Sequence, residues 1–93
     1  MLRCGDGSLY TGWSSDLQRR LRMHSAGRAS RYTASRLPVE LVLARRMADR
    51  SAAMREEARI KRLPRRAKLA LIAADPAPAQ EAARTPRGGA VAA

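Results

Sequence analysis

The sequence predicts a small α/β (α+β) domain in the order β-β-α-β-α-α, a meander sheet that carries helices. Three observations predict it. A Gly5-Asp6-Gly7 turn near the start separates two short segments. Leu17, Leu21 and His24 then recur at helical spacing, directly after a cluster of helix-capping residues. Finally, a Val- and Leu-rich run follows Pro38, and two further helical segments come after it.

Each element has its own reason. Asp-Gly is a strong hairpin signal, so "LRCGDGSLYTGWS" reads as strand, turn, strand, with Met1 to Cys4 leading and Ser8 to Trp13 returning. Ser14, Ser15 and Asp16 all offer N-caps to a helix of about ten residues that ends near Ala26-Gly27. "RASRYTASRLP" is a basic loop, and "VELVLARR" alternates as a strand does. Asp49 or Ser51 caps a second helix reaching about Arg62, and Pro64 suits the first turn of a third. From about Asp75 the chain is mostly Pro, Ala and Gly with few large apolar residues. Such composition predicts a disordered tail over residues 74–93 and a folded domain over 1–73. At this size every strand matters to the core. Cys4, Met47 and Met54 are expected in the core, and Trp13 at its boundary or stacked on a base.

The charge narrows the function classes. The chain carries a net +11, from 17 Arg and 2 Lys against 8 acidic residues. Arginine forks onto phosphate oxygens, so this balance suits a nucleic-acid partner, although ribosomal, repressor and membrane-surface proteins share it. One cysteine leaves no disulfide partner within the chain, and Cys4 with His24 cannot make a zinc site. A reducing, cytoplasmic setting is expected. No apolar run approaches the roughly 18–20 residues of a membrane span, and the start has no signal-peptide pattern.

Four polar residues stand out as able to converge. Tyr10 is on the second strand, Arg20 and His24 are one helical turn apart, and Glu57 shares a helix side with Ala53 and Ile60. Each alone has a plain reading: a strand aromatic, a solvated arginine, a helix-terminal histidine, a carboxylate paired with Lys61 or Arg50. Together a tyrosine, an arginine, a histidine and a lone carboxylate are the parts for hydrolysing a phosphodiester with one divalent metal.

In these positions the sequence resembles the small stand-alone GIY-YIG nuclease-domain proteins over roughly residues 2–72. The "YIG" half appears as Tyr10-Thr11-Gly12; Asp16-Leu17, Arg20 and His24 follow in order; "REEARIKRL" carries Glu57. The resemblance implies a small three-stranded antiparallel sheet flanked by helices, and metal-assisted cleavage of DNA. It implies that Glu57 holds one Mg2+ or Mn2+, which suit carboxylate oxygens. Arg20 would brace the charge growing on phosphorus. Tyr10 would take a proton from the attacking water or orient that water, and His24 would hold or relay the proton. Arg19, Arg28, Arg31, Tyr32, Arg36 and Lys61 would contact the nucleic acid. Two differences from the family pattern accompany this: Ser25 follows the histidine, and Glu56 stands beside Glu57.

The family's first tyrosine, of the "GIY" strand, would lie just before Met1, so that half of the motif is expected to be absent and the sheet to expose unpaired backbone there. Two functions then compete. One is a DNA endonuclease of the repair or recombination kind. The other is a catalytically impaired nucleic-acid-binding module.

Overall fold

The computed structural model describes residues 1–74 and 89–93. Strands β1 (Leu2–Arg3) and β2 (Leu9–Tyr10) form the expected hairpin, with Leu2 opposite Tyr10. Asp6 Oδ1 closes the turn by accepting from the backbone N–H and the hydroxyl of Ser8 at 3.0 and 2.6 Å. Gly5 lets this turn press against a second loop. A Cβ there would sit 2.5 Å from the Leu37 carbonyl oxygen, and the Gly5 N–H donates to the Arg36 carbonyl at 2.6 Å.

The chain continues through β3 (Trp13–Ser14) into α1 (Leu17–Ser25). Of the three possible caps Asp16 takes the position, accepting from the Arg19 N–H at 3.1 Å. The segment expected to be only a loop contains a short helix, α2 (Arg31–Ala34), capped by Ser30. Ser30 accepts the Thr33 N–H, and that local bond nucleates the turn. The Val/Leu-rich run forms β4 (Glu40–Leu41) and β5 (Arg45–Met47) rather than one unbroken strand. Asp49 caps α3 (Arg50–Lys61), and α4 (Arg65–Ala74) begins directly after Pro64.

Residues 90–92 correct the expected tail. Ala90–Ala92 form a sixth strand, β6, and residues 90–93 are almost wholly buried. Residues 75–88, the rest of that expected tail, lie outside the described residues. Two three-stranded antiparallel groupings result, β2-β1-β4 and β3-β6-β5. Their outer strands run on from one grouping to the next, from β2 to β3 and from β4 to β5. The centre is occupied by β1 at one end and by β6 at the other. The backbone of Trp13 and of Arg45 is thereby paired, each opposite Ala92. Where the groupings meet, the Met1 carbonyl accepts from both Val42 and Leu43 N–H at 2.9 and 3.3 Å, the two-against-one pattern of a bulge.

The core has two parts. Met1, Val42, Leu43 and Ile60 pack with Leu9, Leu71 and Ile72, so this part involves α3 and α4. Leu17, Val91 and Ala93 pack with Leu21, Leu41 and Ala44, so this one involves α1. Cys4 is buried as expected, but Met54 is 47% exposed and Met47 only half-buried. On α3 the buried positions are Ala53 and Ile60, seven residues apart, and Met54 falls a helical step of about 100° round from Ala53. Trp13 is half-buried, with the Arg50 guanidinium carbon 5.6 Å from its ring centre.

Candidate active site

The hairpin presents Tyr10, and the Asp16 cap fixes where α1 starts and hence which face meets it. Arg20 and His24, i and i+4, both reach the tyrosine. The Arg20 guanidinium carbon is 5.8 Å from the Tyr10 ring centre, and the His24 ring is 5.3 Å away and tilted by 54°. Tyr32 of α2 stacks on the same ring at 5.7 Å and 24°. Arg36 lies over Tyr32 at 3.9 Å and ion-pairs with Asp6 at 3.1 Å. The turn that Gly5 allows to dock thus also locks the aromatic pair.

His24 is 3% exposed. Its Nδ1 lies 2.8 Å from Thr33 Oγ1, and the Thr33 hydroxyl has the Ser30 carbonyl as its own acceptor at 3.4 Å. That network suits Nδ1–H as donor, which leaves the lone pair on Nε2. Burial, and then the nearby Arg20 charge, pull the His24 pKa down to about 4, so the ring is neutral at pH 7. Thr33 is the residue that sequence reasoning missed. The Ser-x-x-Thr spacing from Ser30 was its only local signal, since a histidine partner nine positions away leaves no periodic mark.

Arg20 is half-buried and is held from several sides. Burial lowers its pKa, while Tyr10 and Glu57 oppose that shift by favouring the cation. Its Nη1 donates to the Ala93 carbonyl. Its Nη2 is buried and has no hydrogen-bond partner among the described residues. Gly12, the glycine of "YTG", makes room for it: a Cβ at Gly12 would lie 2.9 Å from Arg20 Cζ and closer still to Nη2.

Glu57 sits half-buried on α3 between Ala53 and Ile60, with Lys61 Nζ 3.1 Å from Oε1. Its charge acts on Arg20. Glu56 does not share that role. It pairs with Arg59, whose hydrogen bond holds its carboxyl below the usual range, and it lines a hollow with Met47, Ala52 and Arg55.

Of the residues expected to meet nucleic acid, Arg19, Arg28 and Arg31 are exposed. Arg28 and Arg31 line one shallow groove with Ser30 and Ala34, and Arg19 lines a hollow with Ser14, Asp16 and Arg20. Tyr32 is 38% exposed. Arg36 and Lys61 are already engaged with Tyr32, Asp6 and Glu57.

Among the described residues no three His, Cys, Asp or Glu side chains converge as a metal cage. A single carboxylate fits a hard ion that keeps most of its waters and takes further oxygens from a phosphate, which is how Mg2+ commonly binds. Also among these residues, no helix is long and apolar enough to cross a membrane.

A tyrosine, an arginine and a histidine gather on a strand-and-helix corner, with the charge of a carboxylate on α3 reaching the arginine, and the chain compares with a class of catalytic domain. The model of the GIY-YIG catalytic domain matches residues 1–70, and the chain belongs to the GIY-YIG family, a nuclease family. It is similar to small relatives of matching length. A UPF0213 protein of Oceanobacillus iheyensis is 49% identical over 72 residues, covering 77% of this chain and 84% of the relative. One of Streptococcus sanguinis is 50% identical over 72 residues, covering 77% and 83%. One of Natronomonas pharaonis is 45% identical over 73 residues, covering 78% and 86%. No solved structure gave a significant match.

Proposed function

We propose that this chain is a metal-dependent DNA endonuclease that hydrolyses phosphodiester bonds in repair or recombination. One observation supports the reading: the Arg20 guanidinium lies beside the Tyr10 ring and within the influence of the Glu57 charge, and its buried Nη2 has no hydrogen-bond acceptor among the described residues. A guanidinium with an unpaired N–H can donate to a phosphate oxygen brought beside Tyr10.

The residues divide the work. Glu57 would hold one Mg2+ or Mn2+. When bound, such an ion supplies charge to polarise the scissile phosphate and to stabilise the leaving 3′ oxygen. Arg20 offers a fixed cation to the negative charge that develops on phosphorus, and Gly12 keeps it close to the strand. Tyr10 orients the attacking water or takes its proton, with the Arg20 guanidinium carbon 5.8 Å from its ring centre. Neutral His24, held through Nδ1 by Thr33, keeps a nitrogen lone pair for a proton beside Tyr10. Exposed Arg19, Arg28 and Arg31, with Tyr32, would track the DNA backbone.

The test is nicking of plasmid or branched DNA by the purified chain with Mg2+ or Mn2+. Glu57→Ala should abolish nicking while leaving the fold intact by circular dichroism. Equal nicking by the variant would assign the activity to a contaminant. A second reading, binding without cleavage, is favoured by one feature. The strand facing Gly12 and Trp13 carries Ala90-Val91-Ala92-Ala93, with no hydroxyl to join Tyr10. In that case affinity should fall steeply with salt and ignore the metal.

A further inference from the structure

Residues 90–93 hold the place of a central strand, and the register shows how closely. Opposite β2, Leu2 faces Tyr10. Continuing that ladder backwards puts Met1 opposite Thr11 and the next position opposite Gly12. Ala93 occupies that next position. It exchanges both backbone bonds with Gly12, N–H to carbonyl at 2.7 and 2.9 Å, and Ala92 and Val91 then face Trp13 and Ser14 without a slip. The alternation of faces also continues. Met1 packs in the part of the core made with Ile60, whereas Val91 and Ala93 pack with Leu17 in the other. A strand resting on a surface would satisfy neither the ladder nor the alternation. This one is bonded on both edges, to β3 and to β5.

The same segment reaches the candidate site. Ala93 is the residue whose carbonyl accepts from Arg20 Nη1, and Gly12, its ladder partner, is the residue that leaves space for that guanidinium. We propose that residues 90–93 are an inserted central strand, taken from the same chain, and that their seating positions Arg20 through the Ala93 carbonyl. Small side chains suit the slot, because neighbouring strands and a helix close on both faces. Contacts of β6 with α3 as well as β3 and β5 make it a hub of that half of the sheet. The inference concerns how Arg20 is held and does not depend on the reaction proposed above.

Two measurements on the full chain test it. Met47 and Ala90 are directly opposed across β5 and β6. In a Cys4→Ala background, Met47→Cys with Ala90→Cys should oxidise to an intramolecular disulfide in a monomer. A disulfide-linked dimer, or no disulfide, would overturn insertion from the same chain. Next, Val91→Ala removes two buried methyls and should speed hydrogen exchange of the β3 and β5 amides roughly tenfold. The Arg20 guanidinium N–H signals should quicken with them, while α4 amides stay as they were and Val91→Ile preserves the slow rates. Faster strand amides with unchanged Arg20 signals would refute the positioning role, and unchanged strand amides would refute the insertion.

Discussion

Replacing Gly12 with alanine separates the site from the fold more cleanly than any substitution of a charged residue. The added Cβ would lie 2.9 Å from Arg20 Cζ. Carbon atoms meet comfortably at about 3.5–4.0 Å, so the guanidinium must withdraw by about 1 Å. That withdrawal pulls Arg20 from its bond to the Ala93 carbonyl and from its place beside the Tyr10 ring. A misplacement of about 1 Å can lower a rate on the order of 100-fold, and losing one preorganised donor costs about 100- to 1,000-fold. Stability should fall far less than the rate. Gly12 does not use a left-handed backbone, and alanine keeps the N–H and carbonyl that pair with Ala93. Glycine-to-alanine at such a site gains about 0.4–1 kcal/mol by restricting the unfolded chain, and one lost hydrogen bond to a charged group returns about 1.5–3 kcal/mol. The net is a loss of about 0.5–2.5 kcal/mol.

The assay pairs single-turnover DNA nicking with urea unfolding on the same preparation. The expected result is a rate down about 100-fold with a folded fraction that remains near one in the absence of urea. Wild-type nicking by Gly12→Ala would refute the argument that this glycine exists to seat Arg20. A stability loss well above 3 kcal/mol would refute it differently, by showing that Gly12 serves the sheet itself.

Two other outcomes follow from the geometry. His24 is held near pKa 4 by burial and by Arg20, against about 6.5 in an unfolded chain, so between those values the unfolded state binds more protons. Its contribution to stability is therefore full above about pH 6.5 and declines as pH falls towards 4; urea midpoints across that range should show the slope, and an unchanged slope in His24→Gln would remove the assignment. Asp16→Ala removes the cap accepting the Arg19 N–H and should cost about 1 kcal/mol, with helix α1 amides exchanging faster than those of α3; uniform change across both helices would count against a local role.

How much of this was readable beforehand divides by sequence distance. Tyr10, Arg20 and His24 lie within 15 consecutive positions, and their convergence needs only a hairpin, a cap and the i, i+4 spacing. Each of those has a side-chain signal: Asp6-Gly7, Asp16, Leu17 with Leu21. Glu57 was harder, since Glu56 offers the same chemistry, and the choice rested on the positions of Ala53 and Ile60. Those two are fully buried, which sets the face of α3 that meets the core. Thr33 and Met54 show the opposite case. A buried threonine is chosen by its partner, and an apolar residue one helical step off the packed face is left exposed; neither fact is written in the residue itself.

Residues 90–93 escaped for a deeper reason. Composition arguments weigh side-chain area, and "AVAA" offers little of it. What holds β6 is its backbone, bonded on both edges, and that capacity is common to every residue except proline. A slot already walled by β3, β5, α1 and α3 selects for small side chains that do not crowd it, so poor packing material in isolation is the fitting material there. Distance along the chain is a weak barrier. Doubling the length of a connecting loop costs only about 0.6 kcal/mol of closure entropy. A strand position can therefore be filled by sequence-distant residues at nearly the cost of adjacent ones. The Arg20 site inherits this arrangement: one side of its guanidinium is set by Gly12, eight residues before it, and the other by Ala93, separated from it by 73 positions.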